Sequence, residues 1–256
     1  MPKYHLFRWF IVFICLFSSG LSIYAQDLPP IQTDRPDQTE SPAIVPKNHF
    51  QMETGMVFEK GNESTKNYTH PNILFKYGLN DHFELRLITE YNSINVHKNV
   101  TAGISPVKVG FKVNITQQKG IIPNTSFIGH LVIPYLASDA IQTTYYAPEF
   151  RFTMQHSLSP KLSLSYNLGA EWDGETPDPA FIYTLTGGYA ITEKLGSYLE
   201  LYGFVPQKNS PDHRIDAGFT YLVKNNMQWD VSGGLGFSNN SPDYFVGLGF
   251  SFRLKN

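Results

Sequence analysis

Hydrophobic and polar residues alternate one by one along the last dozen residues of the chain. Every second residue is large and apolar, which gives the set Tyr244, Val246, Leu248, Phe250, Phe252 and Leu254. The residues between them are mostly small or polar, including Gly247, Ser251 and Arg253. A β-strand places such a set on one face. An apolar face this close to the carboxyl terminus is typical of the closing strand of an outer-membrane barrel, where it faces lipid.

The same alternation recurs from His49 onward, in runs of about ten residues or more that would match a tilted membrane span. Short polar segments separate pairs of runs near Asn80, Ser159, Thr192 and Asn225, and a looser turn lies between Gln117 and Pro123. Polar turns between alternating runs indicate β-hairpins. Counting the runs predicts an all-β fold, an antiparallel transmembrane β-barrel of about 12 strands with an extended N-terminal arm.

An even-stranded barrel keeps both termini on the periplasmic side. The tight turns are therefore expected to be periplasmic. The longer loops are expected outside, at 61–67, 96–103, 137–143, 174–179, 207–212 and 239–242.

A soluble β-sandwich is the alternative, because its strands also alternate, with the apolar face turned inward. Aromatic residues favour the membrane, since they concentrate at the ends of the runs as an interfacial girdle would. Tyr77, Tyr91, Trp172 and Trp229 are examples.

Composition agrees with a barrel. Charged residues make up 16% of the chain, the net charge is -2, and the mean hydropathy is -0.24. There is no basic excess that would indicate nucleic-acid binding. The only cysteine, Cys15, lies near the N-terminus, so the remainder of the chain has no disulfide and no thiolate ligand to offer.

The first 25 residues have the pattern of a signal peptide. Lys3 and Arg8 precede an apolar run from Trp9 to Phe17, and small residues lead to a cleavage site expected after Ala25. An uncleaved anchor is the alternative, although the run is short for a membrane-spanning helix. We therefore predict export to the outer membrane of a Gram-negative bacterium.

The predicted domains after this leader are an extended arm over residues 26–46 and the barrel over residues 47–256. The arm is rich in proline, which disfavours both helix and sheet. Its central run reads Thr33-Asp-Arg-Pro-Asp-Gln-Thr-Glu-Ser-Pro42. This run resembles the N-terminal motif of the transporter family of the meta-pathway of phenol degradation, which is common among outer-membrane proteins of Bacteroidetes. The resemblance implies an outer-membrane barrel and suggests uptake of small, hydrophobic or aromatic compounds; it supplies no catalytic residues.

Four charged residues of the arm, Asp34, Arg35, Asp37 and Glu40, stand on a segment that has no core of its own. We hypothesise that the arm folds into the lumen as a plug or gate and pairs there with charged wall residues. The candidates are Glu84, Arg86, Arg151, Arg214, Asp216 and Arg253. A periplasmic tether or folding signal is the alternative.

The polar faces of the strands carry charges of both signs that should line the lumen. These include Glu84, Arg86, Glu90, Glu149, Arg151, Arg214, Asp216 and Arg253. A selective pore would be expected to have one dominant sign. Mixed signs favour structural pairing across strands over substrate recognition. Asp173, at the end of the alternating run that begins at Leu162, is assigned to the same lumen set.

Catalysis is not expected. His156 and Ser157 are neighbours, but adjacent strand residues point to opposite faces. The histidines show no metal-ligand spacing, so no metal and no cofactor is predicted. The predicted function is passage of small molecules, and the expected partners are outer-membrane lipid, the barrel-assembly machinery and a small solute, with no nucleic acid. A structural or surface-interaction barrel is the first alternative, and a lipid-modifying barrel enzyme the second.

Overall fold

The computed structural model describes residues 28–61 and 65–255. The predicted signal peptide lies outside these residues. Thirteen strands are present in the described part of the chain: β1 (His49–Lys60), β2 (Thr65–Asn80), β3 (Phe83–Val96), β4 (Asn99–Ile104), β5 (Val107–Thr116), β6 (Asn124–Ile133), β7 (Ala147–Ser157), β8 (Leu162–Glu171), β9 (Ala180–Ala190), β10 (Leu195–Pro206), β11 (Asp212–Lys224), β12 (Met227–Gly236) and β13 (Tyr244–Lys255).

Twelve of these strands form a closed antiparallel barrel in which each strand pairs with its neighbour in the chain order. The barrel closes where β1 pairs with β13, from His49 opposite Lys255 to Lys60 opposite Tyr244. A closed barrel leaves no edge strand to aggregate or to expose unpaired backbone groups to lipid. The prediction of an all-β transmembrane barrel of about twelve strands is confirmed.

The strand that lies outside the closed barrel, β4, corrects one prediction. The segment 96–103, predicted to be a loop, contains most of β4, which pairs only with the distal half of β3. His97 and Lys98 form the turn between them, with φ angles of 50° and 72°. Positive φ at both central residues is the geometry of the tight turn that joins a two-stranded hairpin. A six-residue strand with no turn-favouring glycine beside it gave no clear sequence signal.

The barrel has its polar residues inside and its apolar residues outside. On β10, Leu199 is 60% exposed, Glu200 is 1% exposed and Leu201 is 40% exposed. The alternation that sequence patterning identified therefore places the apolar face toward lipid. In the closing strand, Val246 and Leu248 are likewise more than half exposed, while Phe245 is buried.

The two ends of the barrel differ. The turn end carries the short connections, such as those after Asn80 and Lys224, together with the start of β1 and the end of β13. The loop end carries the longer connections, including a short 3₁₀ segment at Asp139–Ile141 that is tied to β4 through Ser138 and Ile104. No helix in the described residues is long and apolar enough to cross a membrane.

Candidate functional site

The arm runs inside the barrel. It enters at the turn end, where the backbone N–H of Ile31 donates to the carbonyl of Asn225 at 2.8 Å. Arg253 on the inner wall donates to the carbonyl of Pro29 at 2.7 Å. After passing through the middle of the lumen, the chain returns to the turn end and begins β1. The arm therefore forms a hairpin-like loop with both its ends at one mouth of the barrel.

The return path passes close to a glycine. Gly78 on β2 lies so near the carbonyl oxygens of Val45 and Pro46 that any Cβ at this position would collide with them. The arm is also bound at this glycine two residues after Pro46, because the backbone N–H of Asn48 donates to the Gly78 carbonyl at 2.9 Å. Glycine in a strand often marks such a close approach of another backbone segment.

Asp34 is the most densely bound residue of the arm. Its carboxylate accepts from Lys76 Nζ, Lys112 Nζ and Arg86 Nη1, each at 2.9 Å. Ser41 N–H donates to the same carboxylate at 3.0 Å and closes the arm on itself. Three cations from β2, β3 and β5 thus converge on one carboxylate.

This cluster is closed to solvent, since Asp34 is only 7% exposed. Asp34 lies on the arm, outside the spanning strands. Burial would raise the pKa of its carboxyl, but the positive charges of Lys112, Lys76 and Arg86 outweigh that effect and hold the pKa well below its usual value. Asp34 is therefore ionised, as the three cations require.

Arg86 binds a second arm carboxylate. Its Nη2 donates to Glu40 at 2.6 Å, while its Nη1 also contacts Glu84 at 3.0 Å. Glu84 in turn accepts from the backbone N–H of Val45 at 2.8 Å. A single strand, β3, therefore holds the arm at three successive points.

The opposite wall holds the arm through hydrogen bonds from its backbone. Glu200 on β10 accepts from the N–H groups of Gln38 and Thr39, both at 2.7 Å. Thr39 also bonds Thr186 through their hydroxyl groups at 2.7 Å. Asn167 on β8 exchanges two hydrogen bonds with the backbone of Glu40, at 2.7 and 3.1 Å. These five hydrogen bonds give the turn of the arm a fixed position.

Arg35 points away from the Asp34 cluster. Its guanidinium pairs with Asp230 on β12 at 3.1 Å. It lies against Gly55 and Gly249, which face each other across the closing pair of strands, and a Cβ on either glycine would overlap it. The absence of two side chains at the seam therefore provides the space that Arg35 occupies.

Of the predicted wall partners, four contact the arm: Glu84, Arg86, Arg151 and Arg253. Two do not. Arg214 pairs instead with Glu59 at 2.5 Å and Asp212 at 2.6 Å, and Asp216 accepts from the Tyr198 hydroxyl at 2.8 Å. Both residues therefore bind other groups of the wall instead of the arm.

Asp37 is the one predicted gate residue that makes no ion pair within the described residues. It is half-buried beside the carboxylates of the β10–β11 wall rather than beside a cation.

The eight predicted lumen charges all lie on the inner face. Glu149 shows the pairing of mixed signs, because it binds Lys108 at 3.0 Å and Arg151 at 3.1 Å. Glu90 accepts from Asn72 at 2.5 Å. Asp173, also assigned to the lumen, is instead exposed in the loop after β8, where it accepts from the N–H groups of Glu175 and Thr176. The strand ends two residues earlier than its alternation indicated, since the chain turns at Gly174.

Several arm-binding residues were not identified from sequence, among them one on each of β2, β8 and β9. Lys76, Asn167 and Thr186 occupy inward positions of β2, β8 and β9. Lys76 could have been found, because it continues the inward set of its strand and carries a charge. Asn167 and Thr186 are ordinary polar residues, and only the path of the arm gives them a role.

The arm divides the lumen into two cavities. The outer chamber, toward the loop end, has a volume of about 400 Å³. The inner chamber, toward the turn end, has a volume of about 390 Å³. Among the described residues only Arg35, Pro36 and Asp37 line both chambers. This tripeptide is therefore the partition between them.

The structure also shows the positions of the residues that were considered for metal binding and catalysis. No group of three or more metal-ligating side chains is assembled in the described part of the chain. His156 faces outward and approaches the Tyr166 hydroxyl at 3.4 Å, and the backbone N–H of Ser157 donates to Gln118 at the turn end.

A closed barrel with an apolar outer surface and an occupied polar lumen defines an outer-membrane β-barrel of the channel and porin type. The sequence matches the family described as "Putative MetA-pathway of phenol degradation" over residues 33–254, and the chain belongs to that family. The resemblance inferred from the arm motif is thus confirmed. No curated protein sequence matches the chain.

Solved outer-membrane proteins share the fold at low sequence identity. An outer-membrane channel from Pseudomonas putida F1 is similar with a TM-score of 0.65 and 12% identity, over 83% of this chain and 97% of that one. The NanC porin gives a TM-score of 0.58 with 10% identity, over 79% of this chain and 100% of that one. The KdgM porin gives 0.55 with 11% identity, over 79% and 98%. The predicted outer-membrane location is therefore confirmed.

Proposed function

We propose that this protein conducts small solutes across the outer membrane through its lumen, and that the arm is a resident plug in that path. The observation that carries the proposal is the partition: Arg35, Pro36 and Asp37 separate two chambers, of about 400 and 390 Å³, that lie toward opposite ends of one barrel. A barrel that served only as a membrane anchor would have no need of chambers at both ends. The similar folds of proteins described as a channel and as porins support the same reading.

Small aromatic compounds are the solutes we favour. The family description refers to phenol degradation. The outer chamber also has an aromatic side, formed by Tyr202, Phe204 and Phe245. Aromatic rings prefer offset or edge contacts with other rings, and such a wall offers them beside polar groups that could bind a hydroxyl.

We further propose that the turn end faces the periplasm, as expected for an even-stranded barrel. The N-terminal leader would direct export, and the barrel-assembly machinery would insert the barrel into outer-membrane lipid. Solutes would then reach the outer chamber from the cell exterior and pass the arm to the inner chamber. The chain would act without a cofactor and without catalysis.

A structural or surface-interaction barrel is the second candidate. The dense binding of the arm favours it, because Asp34 with its three cations and Glu200 with its hydrogen bonds could serve only to stiffen the barrel. A lipid-modifying enzyme has less support, since no contact joins His156 to Ser157 beyond their adjacency in the chain.

Swelling of proteoliposomes in arabinose distinguishes these functions. The intact protein would be compared with a variant that lacks residues 28–45, with folding of both checked by heat-modifiable migration on gels. We expect slow swelling with the intact protein and fast swelling with the truncated one. No swelling with a folded truncated barrel would reject passage and favour the structural role. Addition of catechol to the outside should slow arabinose entry if aromatic compounds occupy the outer chamber.

A further inference from the structure

The arm is fixed on both sides of its partition but held weakly at the partition itself. On the N-terminal side Asp34 binds three cations, and on the C-terminal side Thr39 and Glu40 bind β10, β8 and β3. Between them, Arg35 pairs only with Asp230, and Gln38 is held through its backbone, which donates to Glu200 at 2.7 Å and accepts from Arg151 at 3.2 Å. The partition is thus a short loop suspended between two anchors.

The wall opposite this loop is acidic. Asp230 on β12 pairs with Arg35, and Asp216 on β11 bonds Tyr198 of β10. Asp216 is 4% exposed, and its second oxygen has no hydrogen-bond partner among the described residues. Tyr198 lines the inner chamber and Asp216 the outer one, so this hydrogen-bonded pair stands beside the partition on the wall.

The cationic side chains that bind Asp34 lie on another part of the wall, on β2, β3 and β5. They are Lys76, Arg86 and Lys112, and their ion pairs are with Asp34, Glu40 and Glu84. The guanidinium of Arg35 is therefore the cation that the partition presents to the β11–β12 wall. Once it moves away, Asp230 has no other ion-pair partner among the described residues.

We propose that solutes cross along the β11–β12 wall, through a slot that opens when the Arg35–Asp230 pair separates while Asp34 and Thr39 stay bound. The slot takes neutral or cationic solutes with hydrogen-bond donors, such as phenols and amines, in preference to anions. This inference rests on the proposed function and adds to it the position of the path and the charge class of the solute.

The selectivity follows from charge alone. A carboxylate solute in the slot would approach Asp230 once Arg35 has left it, in a lumen of low effective dielectric where like charges repel strongly. A phenolic hydroxyl or an ammonium group would instead donate to the same oxygens. Rings of one sign at a constriction are the usual basis of charge selectivity in pores.

The test is single-channel recording of Arg35→Ala and Asp230→Asn in a KCl gradient, with Lys208→Ala as the matched control. Lys208 is an exposed cation at the loop end, where it pairs with Asp178 and not with the arm. We expect Arg35→Ala and Asp230→Asn to conduct more than the parent protein, and the control to remain at the parent level. The K⁺ over Cl⁻ permeability ratio should exceed unity in Arg35→Ala and be lower in Asp230→Asn, which retains the cation and removes one acid.

A disulfide shows whether the arm stays in place. The hydroxyl groups of Thr39 and Thr186 are 2.7 Å apart, and the chain has no cysteine beyond Cys15. Thr39→Cys with Thr186→Cys, added to Arg35→Ala, should conduct equally when oxidised and reduced. Closure on oxidation would overturn the slot, because passage would then require release of the whole arm.

The outcomes separate the two proposals. If the folded protein lacking residues 28–45 does not conduct, the channel function itself fails. If that protein conducts but Arg35→Ala stays closed, or if Arg35→Ala favours Cl⁻, the channel stands and the slot is wrong.

Discussion

Asp34 and Arg35 are neighbours in the chain, yet they bind different walls of the lumen in different ways. Asp34 is shared by Lys76, Arg86 and Lys112, whereas Arg35 has the single acidic partner Asp230. A carboxylate among three cations cannot leave without exposing all of them to an environment that does not solvate charge. Displacement of Arg35 leaves one buried group, Asp230, without its ion-pair partner, where displacement of Asp34 leaves three cations without theirs. Arg35 is therefore held by fewer contacts than its neighbour Asp34.

This difference also explains why mixed charges fill the lumen. Buried ion pairs are costly to form and are weak evidence for stability, but removal of one partner is strongly destabilising. A network of this kind fixes the position of the arm, because few other positions would satisfy every charge. The following changes test how unequal the two sides are.

The largest effect is expected from Asp34→Asn, which keeps the shape and removes the charge. Three buried cations then lose their common partner, and we expect a loss of about 3–5 kcal/mol in the free energy that holds the arm. Protection of the arm from added protease, measured against urea concentration, gives this quantity. Asp37→Asn is the matched control, and it should change protection little; equal losses in both variants would contradict the role given to Asp34.

Gly78→Ala should be the next most damaging change. Its Cβ would overlap the carbonyls of Val45 and Pro46, which are backbone atoms and cannot turn aside. Overpacking of this kind costs about 1–3 kcal/mol. The urea midpoint of arm protection should fall, while Gly187→Ala, whose Cβ would meet no atom within 4 Å, should leave it unchanged. An unchanged midpoint for Gly78→Ala would mean that the return path of the arm is misplaced.

Gly249→Ala should act on the other side, by displacing the guanidinium of Arg35 from the seam. The obstructed groups are the ends of two side chains, Arg35 and Asp230, so the barrel should remain intact while their pair is lost, at a cost of about 1–2 kcal/mol. Conductance should rise as in Arg35→Ala, with no additional rise when the two changes are combined. Gly233→Ala on β12, where a Cβ would make an ordinary contact at 3.5 Å, is the control. A further rise in the combined variant would show that the glycine acts independently of Arg35.

The smallest effect is expected from Lys208→Ala. Its pair with Asp178 is short, at 2.6 Å, but the lysine side chain is 70% exposed at the loop end. Exposed pairs contribute about 0–1 kcal/mol and are screened by salt. Neither arm protection nor conductance should change measurably, and a loss comparable to that of Asp34→Asn would argue that charge in general, rather than burial, holds the structure.

Sequence patterning was sufficient for the barrel and only partly sufficient for its interior. Strands with one face toward lipid must alternate apolar and polar residues. The sequence of β10 alone therefore predicts that Leu199 faces lipid and Glu200 faces the lumen. The motif from Thr33 to Pro42 also marked the arm as a charged segment. Which wall each charge meets depends on the register of distant strands, and that is why Arg86 was correctly paired with the arm while Arg214 and Asp216 were not. The acceptors of backbone N–H groups, such as Asn167, carry no pattern of their own.

The most direct test is single-channel conductance in a planar bilayer, with the intact protein recorded beside the variant that lacks residues 28–45. The account predicts frequent, large steps from the truncated protein and rare or small steps from the intact one. Equal conductance from the two would contradict it, because an arm that fills the lumen could not then be the barrier to passage.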